Sequence, residues 1–217
     1  GEYPKVTEKT EMKVDFPPEL QNQIPDEIAQ IVTSNHKRQI YDFIDSDDNW
    51  KITLTNNFLA LTSNKYKCWE EFREHLLKPL DAITSIYSPP YFSRIGLRYK
   101  DLIKRSNLGL IGTPWCKLLS PYISGILSST ELCDFVENSA SKIEIRLKDG
   151  TSLVRISHGI VIDTSDGESC YLIDSDFFNT EKTANEKVIE KLNYYNQMGT
   201  RLIQWCITDK LKGAMGQ

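Results

Sequence analysis

Apolar and polar residues alternate in several short runs along this chain. Trp50, Ile52 and Leu54 alternate with Lys51, Thr53 and Thr55, the period of two that marks a strand with one buried face. Tyr41 and Phe43 form a similar run before them, and Asp45-Ser46-Asp47-Asp48-Asn49 is the turn between. Asn56-Asn57 suits a tight hairpin turn into a third strand, Phe58 to Thr62. The period then changes. Trp69, Phe72, Leu76, Leu80 and Ile83 recur every three or four residues. That spacing predicts an amphipathic helix from about Lys65 to Ile86, kinked at Pro79 and ended by Ser88-Pro89-Pro90.

A similar succession follows. Tyr91 to Ile103 reads as a long strand, Ser106 to Pro121 as a surface loop, and Ser129 to Asn138 as a short helix with Leu132, Phe135 and Val136. Ile143, Ile145 and Leu147 then alternate with charged residues up to Asp149-Gly150, a strong hairpin signal. Val154, Ile156, His158, Ile160 and Ile162 mark the return strand, and Cys170 to Phe178 the last one. A final helix from about Thr183 to Leu211 carries the stripe Val188, Leu192, Tyr195, Leu202 and Cys206. Trp50, Trp69 and Trp205 all match core faces.

The start of the chain is less regular. Residues 1–16 read as an N-terminal arm or an edge strand, expected to be incomplete because the first residue is Gly1. Phe16-Pro17-Pro18 stops any element, and Pro25-Asp26-Glu27 opens a short helix to about Val32. The expected fold is therefore one α+β domain over 17–217. It has a single, mostly antiparallel sheet of about seven strands with two long helices packed on one face, built as two β-β-β-α units.

Composition narrows the function. The chain has 217 residues and a net charge of −4, without the basic footprint of a nucleic-acid or anionic-membrane binder. No apolar run approaches the roughly 20 residues that span a bilayer. Five cysteines stand apart with no C-x-x-C pair, as expected of buried, reduced thiols in a cytoplasmic protein. The three histidines, His36, His75 and His158, are widely separated. His158 lies on the apolar face of its strand, and His75 beside the stripe of its helix, so both read as structural. No Ser-His-Asp, Cys-His or phosphate-loop spacing is present. No cofactor is expected.

Strand parity gives the sharpest inference. With Ile95, Leu97 and Tyr99 directed inward, Arg94, Gly96 and Arg98 point outward, as do Glu144, Arg146, Arg155, Asp174 and Asp176. Arginines and carboxylates thus share one sheet face. The plainest reading is a ladder of exposed ion pairs. A face of mixed sign also suits a second copy of the chain, because two-fold symmetry sets a patch against itself. Arg94 and Arg98 suit an anion. Asp174 and Asp176, two apart, are weak candidates for a metal ion and hence for metal-dependent phosphoester hydrolysis. Trp115, in a turn-rich loop, either plugs the core or anchors a partner.

The run Arg94-Ile95-Gly96-Leu97-Arg98-Tyr99 resembles a sporadically distributed prokaryotic family of uncharacterised proteins with a Gly-Leu-Arg-Tyr strand motif. Trp50 to Leu54, Phe58 to Thr62, Tyr66 to Phe72, Tyr171 to Phe178 and Trp205 to Asp209 fit the same pattern, from about Pro17 to Met215. Lys100-Asp101 stands where an Asn often follows the motif. The resemblance implies no set activity, and its patchy distribution points to accessory or defence loci. Taken together, the residues favour a non-enzymatic binding or assembly module that works as a homodimer. A metal-dependent hydrolase or anion-binding protein is the alternative. The expected partner is a second copy or another protein, not a membrane or a nucleic acid.

Overall fold

Each set of alternating runs closes into its own sheet, and each long helix covers the sheet nearest to it in sequence. The computed structural model describes residues 2–12 and 37–216. Phe16-Pro17-Pro18, the helix expected from Pro25 and His36 lie outside them. The chain divides into two compact units, Gly1–Ser88 and Pro89–Gln217.

In the first unit, β1 (Lys5–Met12), β2 (Lys37–Ile44), β3 (Trp50–Thr55) and β4 (Leu59–Ser63) pair in the order β1-β2-β3-β4. All three pairings are antiparallel. The segment read as an arm or an edge strand forms the edge strand β1. Opposed pairs Phe43↔Ile52 and Ile52↔Leu61 line up the apolar residues of neighbouring strands. The Asp45 carboxylate shapes the β2–β3 turn by accepting from the N–H groups of Asn49 and Trp50 at 2.8 and 3.0 Å. Helix α1 (Trp69–Tyr87) runs on through Pro79 and carries Glu70 and Glu71 in its first turn, at the positive end of the helix dipole. Trp50 meets Phe72 at 5.7 Å and stacks on His75 at 4.0 Å between ring centres, closing the helix onto the sheet. Ser88 caps α1 in the left-handed conformation, φ 45°, and Pro89 prevents the helix from continuing.

In the second unit, β5 (Ile95–Ile103), β6 (Ala140–Arg146), β7 (Leu153–Ile162) and β8 (Ser169–Asn179) pair in the order β5-β8-β7-β6. Every pairing is again antiparallel. The inward residues of β8, namely Tyr171, Ile173 and Phe177, are fully buried. Helix α3 (Val188–Cys206) crosses β5 and β8, with Val188, Leu192, Tyr195, Gly199 and Cys206 buried. Gly199 permits the close approach, since a Cβ there would come within 2.8 Å of the Tyr99 ring. The helix ends where Ile207 bridges to Leu119, and a short helix α4 (Asp209–Ala214) follows. Between β5 and β6 the chain forms one α-turn, α2 (Pro121–Ser124), and several 3₁₀ turns.

Three expectations change. The single sheet of about seven strands is two sheets of four. The two helices do not share a face, because each apolar stripe is satisfied by the hairpins beside it, and α1 with Pro89-Pro90 separates β4 from β5. The helix expected over Ser129 to Asn138 is only a 3₁₀ turn, Cys133–Phe135. There Leu132 and Phe135 are exposed, so no buried stripe exists to support a longer helix. Among the described residues, no helix is long and apolar enough to cross a membrane.

Candidate functional site

The outer face of the second sheet holds the residues that parity places there. Arg98 donates from Nε and a terminal nitrogen to the two carboxylate oxygens of Asp174, at 2.7 and 2.5 Å. Arg94 makes the same kind of fork with Asp176 at 3.2 and 3.0 Å. Arg155 bonds Glu144, its direct cross-strand neighbour, at 2.8 Å. The guanidinium groups of Arg94 and Arg155 lie 5.0 and 5.2 Å from the centre of the Phe178 ring, within cation–π range. Gly96 clears the path for this, since a Cβ there would sit 2.9 Å from the Arg94 guanidinium. Each of these arginines is engaged by a carboxylate of the same sheet. Asp174 and Asp176 each carry a guanidinium where a metal ion would have to sit. Among the described residues, no group of three or more His, Cys, Asp or Glu side chains is placed to hold a metal ion.

The remaining candidates are built into the interior. Trp115 is only 5% exposed, packs on Tyr171 and carries the Arg105 guanidinium 4.4 Å from its ring. It plugs the core and offers no anchor. The His158 ring bonds the Tyr171 hydroxyl at 2.8 Å, and burial lowers its pKa. His75 stacks on Trp50 and meets the Tyr3 hydroxyl at 3.2 Å. A chain of polar groups joins Lys191, Asp149, Ser152 and Tyr195 at 2.9, 2.6 and 3.0 Å. Burial would raise the Asp149 pKa, but the Ser152 and Lys191 hydrogen bonds outweigh it and bring it down to about 2. Ser152 and Tyr195 are inaccessible to solvent, so this chain fastens the β6–β7 hairpin to α3 and offers neither hydroxyl to a substrate. Of the cysteines, Cys133, Cys170 and Cys206 are buried as expected, whereas Cys68 is exposed.

The inner face differs from what the pattern implies. Because α3 crosses β5 and β8, the strand at the far side, β6, has no helix above it among the described residues. An open groove of about 380 Å³ remains there. Ile143, Ile145 and Ile156 line it from the strands, Leu202 and Trp205 from α3, and Tyr122 from α2. No family model, curated protein or solved structure matches this chain. The groove therefore stands on its own geometry.

Sequence reasoning missed this groove. Ile143 and Ile145 point to the expected face yet are 42% and 46% exposed. Trp205, expected in the core, is 69% exposed. It follows Leu202 by three residues, so periodicity puts it on the stripe, but that margin of the stripe overlooks the uncovered strand. Alternation reports which side a residue faces and carries no signal for whether anything covers that side.

Proposed function

We propose that this chain is a non-enzymatic binding or assembly module that works as a homodimer, joined through the β6 side of its second unit. One observation carries the reading: all seven residues of β6 are exposed, including two isoleucines on the same face as the buried core. Both are already more than half covered, so covering the remainder is worth roughly 1 kcal/mol each. An uncovered strand at the end of a sheet also presents a row of unpaired backbone donors and acceptors, a template for another strand. A two-fold axis would satisfy both at once by setting the patch against its own copy. The competing hydrolase reading needs Asp174 and Asp176 free for a cation, and the anion-binding reading needs Arg94 and Arg98 free. The ion pairs of the outer face engage all four. We place the protein in the cytoplasm, where its five cysteines, none of them in a disulfide, stay reduced.

Light scattering across a dilution series tests the reading. A mass falling from dimer toward monomer on dilution supports it, and a monomer at every concentration up to about 100 μM, well above typical dimer constants, contradicts it.

A further inference from the structure

Two backbone hydrogen bonds fix which groups of β6 face outward. Leu147 N–H donates to the Ser152 carbonyl, and Ile160 N–H to the Ser139 carbonyl, both at 2.8 Å. These bonds bracket the β6–β7 ladder, which runs Ser141↔His158, Ile143↔Ile156 and Ile145↔Val154 without a change of phase. In an antiparallel ladder the hydrogen-bonded pairs recur at every second residue. The odd-numbered residues of β6 therefore spend their N–H and C=O groups on β7. Those of Ala140, Lys142, Glu144 and Arg146 turn to the open side, where β6 ends the sheet among the described residues.

A second β6 strand can pair antiparallel with this one only where outward groups meet outward groups. That restricts the two-fold axis to registers whose opposed residues share parity. The side chains then choose among them. An axis through Lys142 or Glu144 sets like charges face to face. An axis through Ile145 sets Glu144 opposite Arg146 twice, but also opposes Lys142 to Lys148 just beyond the strand end. An axis through Ile143 sets Lys142 of each copy opposite Glu144 of the other, twice over, and places Ile143 against Ile143 on the groove side.

We infer that the partner of β6 is the β6 strand of a second copy, paired antiparallel about a two-fold axis at Ile143, so that two four-stranded sheets become one continuous sheet. This rests on the homodimer reading above and adds its register. At the axis the Ile143 pair is of the non-hydrogen-bonded kind, with Cα atoms about 4.5 Å apart and side chains in contact. Lys142 and Glu144 are hydrogen-bonded pairs, and there the partner's Lys142 shares with Arg155 the Glu144 carboxylate, adding opposite charge across the axis.

Cysteine cross-linking of the full chain tests the register. In a background of Cys68→Ser and Cys116→Ser, single Ile143→Cys and Ile145→Cys variants are oxidised mildly and run without reductant, with sedimentation of the same samples before oxidation. The axis at Ile143 brings two Cys side chains within the span of about 4.4–6.8 Å between Cα atoms that a disulfide requires. Ile143→Cys is expected to cross-link at least tenfold faster than Ile145→Cys, whose counterpart is Ser141. Faster cross-linking by Ile145→Cys overturns the register and leaves the β6 dimer standing. A sedimenting dimer with neither cross-link overturns the β6 pairing while leaving the homodimer reading. Monomers throughout overturn both and open the groove to a different partner.

Discussion

Arg98 holds Asp174 through two parallel hydrogen bonds, from Nε at 2.7 Å and from a terminal nitrogen at 2.5 Å. The same fork recurs between Arg94 and Asp176. These pairs engage two arginines and two aspartates of the outer face, and the exposed apolar groove lies on the opposite side. Arg98 is about half exposed while the Asp174 side chain is 13% exposed, so water screens the pair from the Arg98 side and keeps its contribution small. Arg98→Ala should cost about 1 kcal/mol or less in a urea titration. A loss several times larger would mean that this face does more than pair its own charges.

The two tryptophans of the second unit should respond in opposite ways. Trp115 is buried against Tyr171, and Trp115→Ala should cost roughly 3–5 kcal/mol, as removal of a large core side chain does. Trp205 is exposed on the groove margin, and Trp205→Ala should alter monomer stability by about 0.5 kcal/mol or less. Denaturation of both variants checks this directly. Equal losses would place Trp205 in the core after all.

Asp101 introduces a pH dependence. It lies on the inner face of β5 opposite Ile173, and burial raises its pKa to about 6. Below the unfolded value, near 3.8, the group is protonated in both states and costs nothing. As pH rises from there to about 6, only the unfolded state releases the proton, so stability falls across that window and levels off above it. Asp101→Asn should remove this component. Its stability relative to the parent should increase by roughly 3 kcal/mol between pH 3.5 and pH 7.5. A constant difference between the two proteins across that range would show that Asp101 ionises freely in the folded state.

Much of the local structure is legible in the residues. The hairpin at Asp149-Gly150, the alternation in β3 and β7, and the outward set Arg94, Arg98, Arg155, Asp174 and Asp176 all follow from turn chemistry and a period of two. The partition into two sheets does not, because strand pairing is a long-range choice. Nothing in Leu59 to Ser63 or Ile95 to Ile103 states that these strands belong to different sheets. The candidate site was hidden for the same reason. Ile143 and Ile145 carry the pattern of core residues, and their exposure depends on where α3 crosses the sheet.

Two cysteines far apart in sequence meet in the β5–β6 connection. The sulfurs of Cys116 and Cys133 are 3.6 Å apart, and Cys116 is partly accessible. Treatment with diamide, which accepts the two hydrogens released, should join them in an intramolecular disulfide. Peptide mapping without reductant should find Cys116 linked to Cys133. Linkage through Cys68 alone would show that the two sulfurs do not approach each other in solution.

The central claim is that β6 joins two copies of the chain. Sedimentation velocity of the full chain beside Ile143→Asp tests it most directly, because the substitution buries a carboxylate at the axis without touching the core of either unit. A reversible dimer whose dissociation constant increases at least a hundredfold in Ile143→Asp is the predicted result, since an unpaired buried charge costs several kcal/mol. A dimer equally stable in both proteins, or a parent chain that never associates, would contradict it.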